Sequence, residues 1–431
     1  MFNFSRMYDG LLGSSKEKRV IITNFYSLGL LQIANYIFPL VTLPYLVRVL
    51  GVERYGLIAF AQAFTQYFVV LTDYGFQLSG TREVSLFRLD NNKISRIFSS
   101  ITVVKGIILI FCFILLLFLV FLVPRFREER LVYIFAFGMV FDSVLFPVWL
   151  FQGMEEMRYI TVRNIVAKVI FTIAIFVLIK EESDYVYVLL VNSLGLIISG
   201  LISLRIMTKR FNIVFKFPDF SQISLQVKEG WHIFLSKMAI NLYTSSNTFI
   251  LGLFTDNTLV GYYAAGEKIV RTIIAMFNPV FQSLFPFFTK SAVVSEAKTA
   301  RRLMKILKIT FFVSMPLTIL LFTSAGSVVN AFLGEEFGPT VFVLRILSPL
   351  VFVVPASSIF ANLGLLSFKF DRYLSKIYLG GALLNVILLF FFLGVLNLKI
   401  FGAAIVCLCV ELTLTVAMIL KLNSRHSLQL A

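Results

Sequence analysis

Histidine and cysteine are nearly absent from this chain, at two and three residues in 431. His232 and His426 are too few to build a zinc centre. Cys112, Cys407 and Cys409 lie inside apolar runs and form neither a metal-ligand spacing nor a disulfide framework. Charge is also scarce: 14% of residues are charged, against about 25% in ordinary soluble domains. A cleavable leader is not expected, because Met1–Arg19 is polar and the first apolar run is too long for a signal core. Missing too is any polar stretch long enough to fold as a separate domain. A membrane glycosyltransferase or polymerase needs a sizeable extramembrane region and an acidic catalytic pair, so that class is disfavoured.

What the sequence has instead is apolar length. Hydrophobic residues make up 58% of the chain. Runs of ~20 residues recur throughout, each long enough to cross about 30 Å of hydrocarbon as a helix. Backbone groups in lipid must be satisfied internally, which leaves helices or a closed barrel. The runs are continuous rather than alternating, so they are helices. Twelve spans are expected, at about 21–47, 56–79, 98–123, 131–153, 164–180, 185–208, 231–254, 261–288, 309–333, 346–368, 377–396 and 400–421.

The net charge of +16 does not indicate a nucleic-acid partner. Of the lysines and arginines, 26 fall in the two terminal segments and alternate loops, and eight in the other loops. By the positive-inside bias both termini are cytoplasmic. The outer loops are short and carry acids such as Glu128, Glu181, Glu182, Glu335 and Glu336. The longest polar connection, 209–230, falls midway along the chain. Spans 1–6 and 7–12 correspond at an offset of about 205 residues. Two six-helix lobes with the same topology would meet at a central cleft, which is a transporter architecture. The divisions are therefore 1–20 (cytoplasmic segment), 21–208 (N-lobe), 209–230 (cytoplasmic connection), 231–421 (C-lobe) and 422–431 (cytoplasmic tail).

Polar residues concentrate on four of the spans. Span 1 carries Asn24, Gln32, Asn35 and Thr42, with Pro39 and Pro44 towards its outer end. Span 2 carries Gln62, Gln66 and Asp73, and span 7 carries Lys237, Asn241, Thr244 and Thr248. Span 8 carries Glu267, Lys268, Arg271, Asn278 and Gln282. Of these, Glu267, Arg271, Asn278 and Gln282 recur at intervals of four, seven and four, one face of a continuous helix. Spans 3, 5, 6 and 9 are apolar at their centres; Lys105 and Lys168 lie close to cytoplasmic ends. Charged side chains within spans face a bundle interior or an aqueous cavity, so spans 1, 2, 7 and 8 are the expected cavity wall.

Each residue also has a structural reading. Lys237 can snorkel to the headgroups, Asp73 can pair with Arg82 or cap a helix, and Glu267–Arg271 can be a simple i,i+4 ion pair. Asn, Gln and Thr can serve to join helices. On the transport reading, cations outnumber carboxylates and the cavity suits an anion, with arginine fitted to bidentate phosphate recognition. A membrane supplies such anions as phospholipids and polyprenyl-phosphate carriers.

The stretch 39–85, PLVTLPYLVRVLGVERYGLIAFAQAFTQYFVVLTDYGFQLSGTREVS, resembles the N-terminal signature of Wzx-type O-antigen and polysaccharide flippases. These belong to the multidrug/oligosaccharidyl-lipid/polysaccharide (MOP) exporter superfamily. The matching landmarks are Pro39, Pro44, Arg48, Leu50-Gly51, Tyr55-Gly56, Asp73-Tyr74-Gly75-Phe76 and Thr81-Arg82-Glu83. FPVWLFQGMEEM (146–157), VGYYAAGEKI (260–269) and FGPTVFVLRILSPL (337–350) are similar to its later ones. The resemblance implies an all-α, MATE/MOP-like fold of about twelve transmembrane helices in two lobes around a central cavity, working by alternating access without a cofactor. It implies an undecaprenyl-pyrophosphate-linked oligosaccharide as cargo, carried from the inner to the outer leaflet of the cell inner membrane. Arg271 looks equivalent to an arginine in the family's eighth span. With Lys237 and Lys268 it is the expected pyrophosphate contact, and Asn35, Gln62, Gln66, Asn241, Asn278 and Gln282 are the expected polar lining. A polysaccharide polymerase and a chain-length regulator are candidate partners. Coupling to H⁺ or Na⁺ has Asp73, Asp142, Glu267 and Glu411 as candidate groups. The alternative is a MATE-like cation or drug antiporter of the same fold.

Overall fold

A computed structural model describes residues 15–424 of the chain. Residues 1–14 and 425–431, most of the expected terminal segments, lie outside it. So do the side chains of 15–29, 33, 36, 232 and 236, Asn24 among them. The described residues are almost all helical, with the longest break at 212–219, and the helices follow the expected order. Nine of them are individually long and apolar enough to cross a membrane, and the bent pair Asn257–Ala275 and Asn278–Val294 makes a tenth.

Two expected spans are hidden from that count for physical reasons. The helix Ser15–Asp73 holds both of the first two. At 1.5 Å per residue its 59 residues would extend about 90 Å, roughly three bilayer cores, so it must turn back. It does so at Gly51, with φ 70° and ψ 177°. The seventh span, Phe220–Thr244 continued by Ser246–Phe254, is too polar to register as apolar because Lys237, Asn241 and Asn247 sit along it.

The two lobes meet along a seam at the ends of spans 2, 7 and 8 that lie away from the basic loops. Gly56 and Gly261 make it possible. A Cβ on Gly56 would lie 1.8 Å from the carbonyl oxygen of Asn257, and one on Gly261 would lie 2.3 Å from that of Val52. Next to them Phe60 stacks on Phe249 with ring centroids 5.5 Å apart, and a Cβ on Gly252 would strike the Phe60 ring at 2.3 Å. Tyr55 and Tyr262 both meet Phe337 edge-on. Arg125 donates from Nη2 across the seam to the Thr255 carbonyl at 3.0 Å.

Towards the basic loops the lobes touch along span 7 alone of the two C-lobe wall helices. Tyr74 stacks on Phe234 at 5.0 Å, and Gln226 Nε2 donates to Glu83 at 2.8 Å. The inner half of span 8, Asn278–Val294, is different. Among the described residues its side-chain hydrogen bonds and ring contacts stay within its own span or reach C-lobe helices, through Ser367, Thr299 and Arg302. Among the described residues the lobes are thus joined at the face remote from the basic loops, and no side-chain hydrogen bond or ring contact joins them through span 8 at the face of the basic loops.

Gly51 and Gly56 should respond to substitution for separate reasons. Gly51→Ala meets no neighbour within 4 Å, so its loss of about 1–3 kcal/mol would be conformational. Gly56→Ala should cost a similar ~1–3 kcal/mol by overpacking the seam. Gly106→Ala, in a helix with open space around it, serves as the control and should be neutral or slightly stabilising. Thermal unfolding of the solubilised protein reads all three. A melting temperature for Gly56→Ala equal to that of Gly106→Ala would refute the close seam.

Candidate functional site

Three connected cavities run through the region where the lobes meet. The largest of the three, about 600 Å³, lies between them. Span 2 supplies Gln62 and Gln66, span 5 Asn164 and Lys168, and span 8 Glu267, Lys268 and Arg271. An inner cavity of about 400 Å³ holds Asp73, Gln77, Lys105, Asp142, Lys237 and Asn241. A third, about 110 Å³, lies within the C-lobe beside Ser357, Ser358, Asn362 and Glu411. Thr244, at the break of span 7, lines all three.

The sequence-derived candidates therefore divide. Arg271, Lys268, Glu267, Gln62 and Gln66 share the central cavity, while Lys237, Asn241, Asp73 and Asp142 share the inner one. Glu411 is in the third. Asn35, Asn278 and Gln282 line none of these cavities. Asn278 and Gln282 lie beyond a bend of about 40° between Ala275 and Asn278, and both are exposed on the half of span 8 that follows it. Lys168, Asn164 and Asn192 escaped the sequence reading, which took span 5 as apolar with a lysine near its end. The i,i+4 spacing of Asn164 and Lys168 was the available signal.

Low dielectric makes an unpaired charge expensive, and most charged groups here are paired. Asp73 serves two lysines. Its Oδ2 is 2.6 Å from Lys237 Nζ and its Oδ1 is 3.4 Å from Lys105 Nζ. Lys237 also donates to Gln77 Oε1 at 3.2 Å, and Lys105 to the Ser143 carbonyl at 3.0 Å. The helix ends at Tyr74 and Gly75, both at positive φ, which puts Asp73 at a helix terminus among these cations rather than with Arg82. Lys237 comes from the C-lobe and Asp73 from the N-lobe, so this pair spans the interface. Asp142 is bonded to Arg163, which also lies over the Phe146 ring at 4.2 Å.

Arg271 is likewise engaged. Its Nε donates to Glu267 Oε1 at 2.8 Å and its Nη2 to the Thr244 carbonyl at 2.8 Å, where the break in span 7 frees an acceptor. Thr248 donates to the other Glu267 oxygen at 3.1 Å. Two cations remain. Neither Lys168 nor Lys268 has an ion pair among the described residues, and they come from opposite lobes into the same cavity. Counting Arg271 and Glu267 as cancelling, the central cavity holds two uncompensated positive charges. That arrangement suits a dianion and disfavours a cation.

A model of the family described as "Polysaccharide biosynthesis protein" matches residues 21–292. The chain belongs to this family. It is 27% identical over 405 residues to a protein of Escherichia coli (strain K12) named "Putative O-antigen transporter", covering 94% of this chain and 97% of that one. A Shigella dysenteriae protein of the same name is 28% identical over 371 residues, covering 85% and 91%. Among solved structures the fold is similar to "Lipid II flippase MurJ, inward closed conformation", with TM-score 0.70, 13% identity and 91% and 87% of the two chains covered. It is also similar to an inward-facing MATE transporter of the MOP superfamily, with TM-score 0.66, 14% identity and coverage of 90% and 94%. The fold is therefore the MATE/MOP-like one that the resemblance implied.

Because Asp73 compensates two lysines, its loss should be worse than that of either partner. Asp73→Asn should destabilise the protein by about 3–5 kcal/mol, leaving like charges face to face, and Lys237→Met by clearly less. Melting temperatures of the two single variants and the double variant test this. Equal single losses that add in the double variant would rule out the bridged arrangement.

Proposed function

We propose that this protein is a flippase for undecaprenyl-pyrophosphate-linked oligosaccharide units of O-antigen, capsule or exopolysaccharide. It moves them from the cytoplasmic to the outer leaflet of the cell inner membrane by alternating access, with both termini in the cytoplasm. The observation that carries this reading is the pair of unneutralised lysines, Lys168 and Lys268, presented by opposite lobes to one mid-membrane cavity. The names of the relatives agree with it.

On this reading the pyrophosphate sits between Lys168 and Lys268, with Arg271 beside it and Gln62, Gln66, Asn164 and Asn192 available to sugar hydroxyls. A dianion there neutralises a charge from each lobe at once, so binding favours drawing the lobes together. Each charge-assisted hydrogen bond formed in that site contributes more than a neutral one. Lys237, which the sequence reading grouped with the phosphate contacts, instead holds the inner end of the interface through Asp73. Closure at the outer seam with span 8 parted at the inner side is the geometry that receives cargo from the cytoplasm. No bond in the cargo changes, so the protein acts as a carrier rather than an enzyme. A polymerase and a chain-length regulator would act on the delivered unit. Coupling to H⁺ or Na⁺ would draw on Glu411, whose carboxylate has no salt bridge among the described residues.

Complementation of a flippase-deficient strain tests this. Lys168→Gln and Lys268→Gln should each lower surface polysaccharide by roughly tenfold or more at unchanged protein level, as expected for losing one charge-assisted contact of ~1.5–3 kcal/mol. Lys168→Arg and Lys268→Arg should keep most of the function. Arg271→Ala should abolish it and Arg271→Lys should retain part, since charge remains without the fork. Wild-type polysaccharide in both glutamine variants would defeat the reading, and drug resistance on expression without any effect on polysaccharide would favour the antiporter.

A further inference from the structure

The connection between the lobes is built unlike a solvated linker. After Phe211 the chain takes left-handed φ at Asn212 and runs without helix to Asp219. Ile213 is fully buried in the N-lobe core with Phe76, Ile94, Ile97 and Met207. The next residues lie along the first turns of the third span, Asn91–Leu122. The Val214 amide donates to Ser95 Oγ at 3.2 Å, and the Lys216 amide donates to Ser99 Oγ at 2.8 Å. Both hydroxyls in turn donate to carbonyls one helical turn back, Asn91 at 2.7 Å and Ser95 at 2.7 Å.

The register is set by a coincidence of pitch. Four residues of helix rise about 6 Å and two residues of extended chain about 6.6 Å, so alternate amides meet successive i,i+4 serines. Moving from Val214 to Lys216 therefore carries the connection about 6 Å further along a spanning helix, away from its water-facing end. Backbone entering that depth must have its amides satisfied by protein, and the two serines do this. The Lys216 side chain turns the other way, donating from Nζ to Asn92 Oδ1 at 2.9 Å, back towards the helix start. A lysine whose backbone is deep and whose ammonium returns outward is snorkelling.

Beside these contacts the segment presents aromatic rings to its surroundings. Phe217 is 93% exposed and Phe220 84%, with Phe215 edge-on to Phe217 at 5.3 Å. Lys216 and Asp219 are exposed in the same segment, and Arg96, Lys209 and Arg210, the last 3.8 Å from Glu156, are exposed on the helices that flank it. Rings at the apolar level with cations at the headgroup level match a lipid interface.

We infer that residues 214–220 form an interfacial anchor that inserts Phe217 and Phe220 into the membrane leaflet on the side of the basic loops. Arg96, Lys209, Arg210 and Lys216 meet its anionic headgroups. The occupant of this surface is phospholipid. The anchor fixes the depth of the N-lobe side of the lobe connection in that leaflet. It rests on the spanning assignment of the third helix alone, and it holds whatever cargo the cavity carries.

The test uses the full-length protein with Cys112, Cys407 and Cys409 replaced by alanine, reconstituted in vesicles containing an anionic phospholipid. A nitroxide at Phe217→Cys is compared with one at Glu336→Cys, an exposed outer-loop position. Power saturation measures collision with oxygen, which concentrates in lipid, and with a water-soluble nickel chelate. The oxygen-to-nickel ratio at 217 should be roughly fivefold or more above that at 336, as for a group buried several ångströms below the headgroups. A nitroxide at Phe220→Cys should behave alike, which guards against a local effect of one label. Nickel accessibility at both 217 and 220 equal to that at 336 would overturn the anchor and point to a surface awaiting a protein partner. Ser95→Ala/Ser99→Ala should raise nickel accessibility at 217 about twofold or more by freeing the two amides. No change there would overturn the docking on the third span.

Discussion

The cost of an uncompensated charge in a medium that cannot solvate it governs this structure. Asp73 is shared by Lys105 and Lys237, Asp142 is held by Arg163, and Glu267 by Arg271 and Thr248. Each pairing ties particular helices together, and the Asp73–Lys237 pair ties lobe to lobe. Against that background Lys168 and Lys268, which have no ion pair among the described residues, stand out as places where compensation can arrive from outside. A carrier needs such a vacancy, because a cavity whose charges were all satisfied internally would gain nothing from an anion.

The same economy shapes the backbone. Span 7 breaks at Thr244–Ser246, and the carbonyl released at Thr244 is taken up by Arg271. The inter-lobe connection lies against Ser95 and Ser99, which accept its amides and pass the donation to their own helix. Glycine acts where no side chain could. Gly56 and Gly261 let two backbones from different lobes approach to a distance that any Cβ would forbid, and Gly51 reverses the chain in a conformation only glycine adopts cheaply. The seam between the lobes depends on Gly56 and Gly261, while among the described residues the half of span 8 nearest the basic loops has C-lobe partners only.

Hydropathy, the loop charges and the repeat offset determined the helical class, the order of the spans and the two-lobe plan by themselves, because lipid permits so few backbone solutions. The composition of spans 2, 7 and 8 likewise determined that they would carry polar groups into the interior, and Gln62, Gln66, Glu267, Lys268 and Arg271 do share a cavity. Tertiary structure alone decided which charges cancel. Sequence spacing places a residue on a helix face, but pairing is a property of facing helices, so the separation of Lys237 from Lys268 and the partnership of Asp73 with Lys105 had no signature along the chain. It decided, too, that span 8 bends after Ala275, so that Asn278 and Gln282 do not share the cavity of Glu267 and Arg271, since a periodic pattern presumes a straight helix. And it brought in Lys168, a single cation on an apolar span, which acquires meaning only when the opposite lobe sets Lys268 across the same cavity.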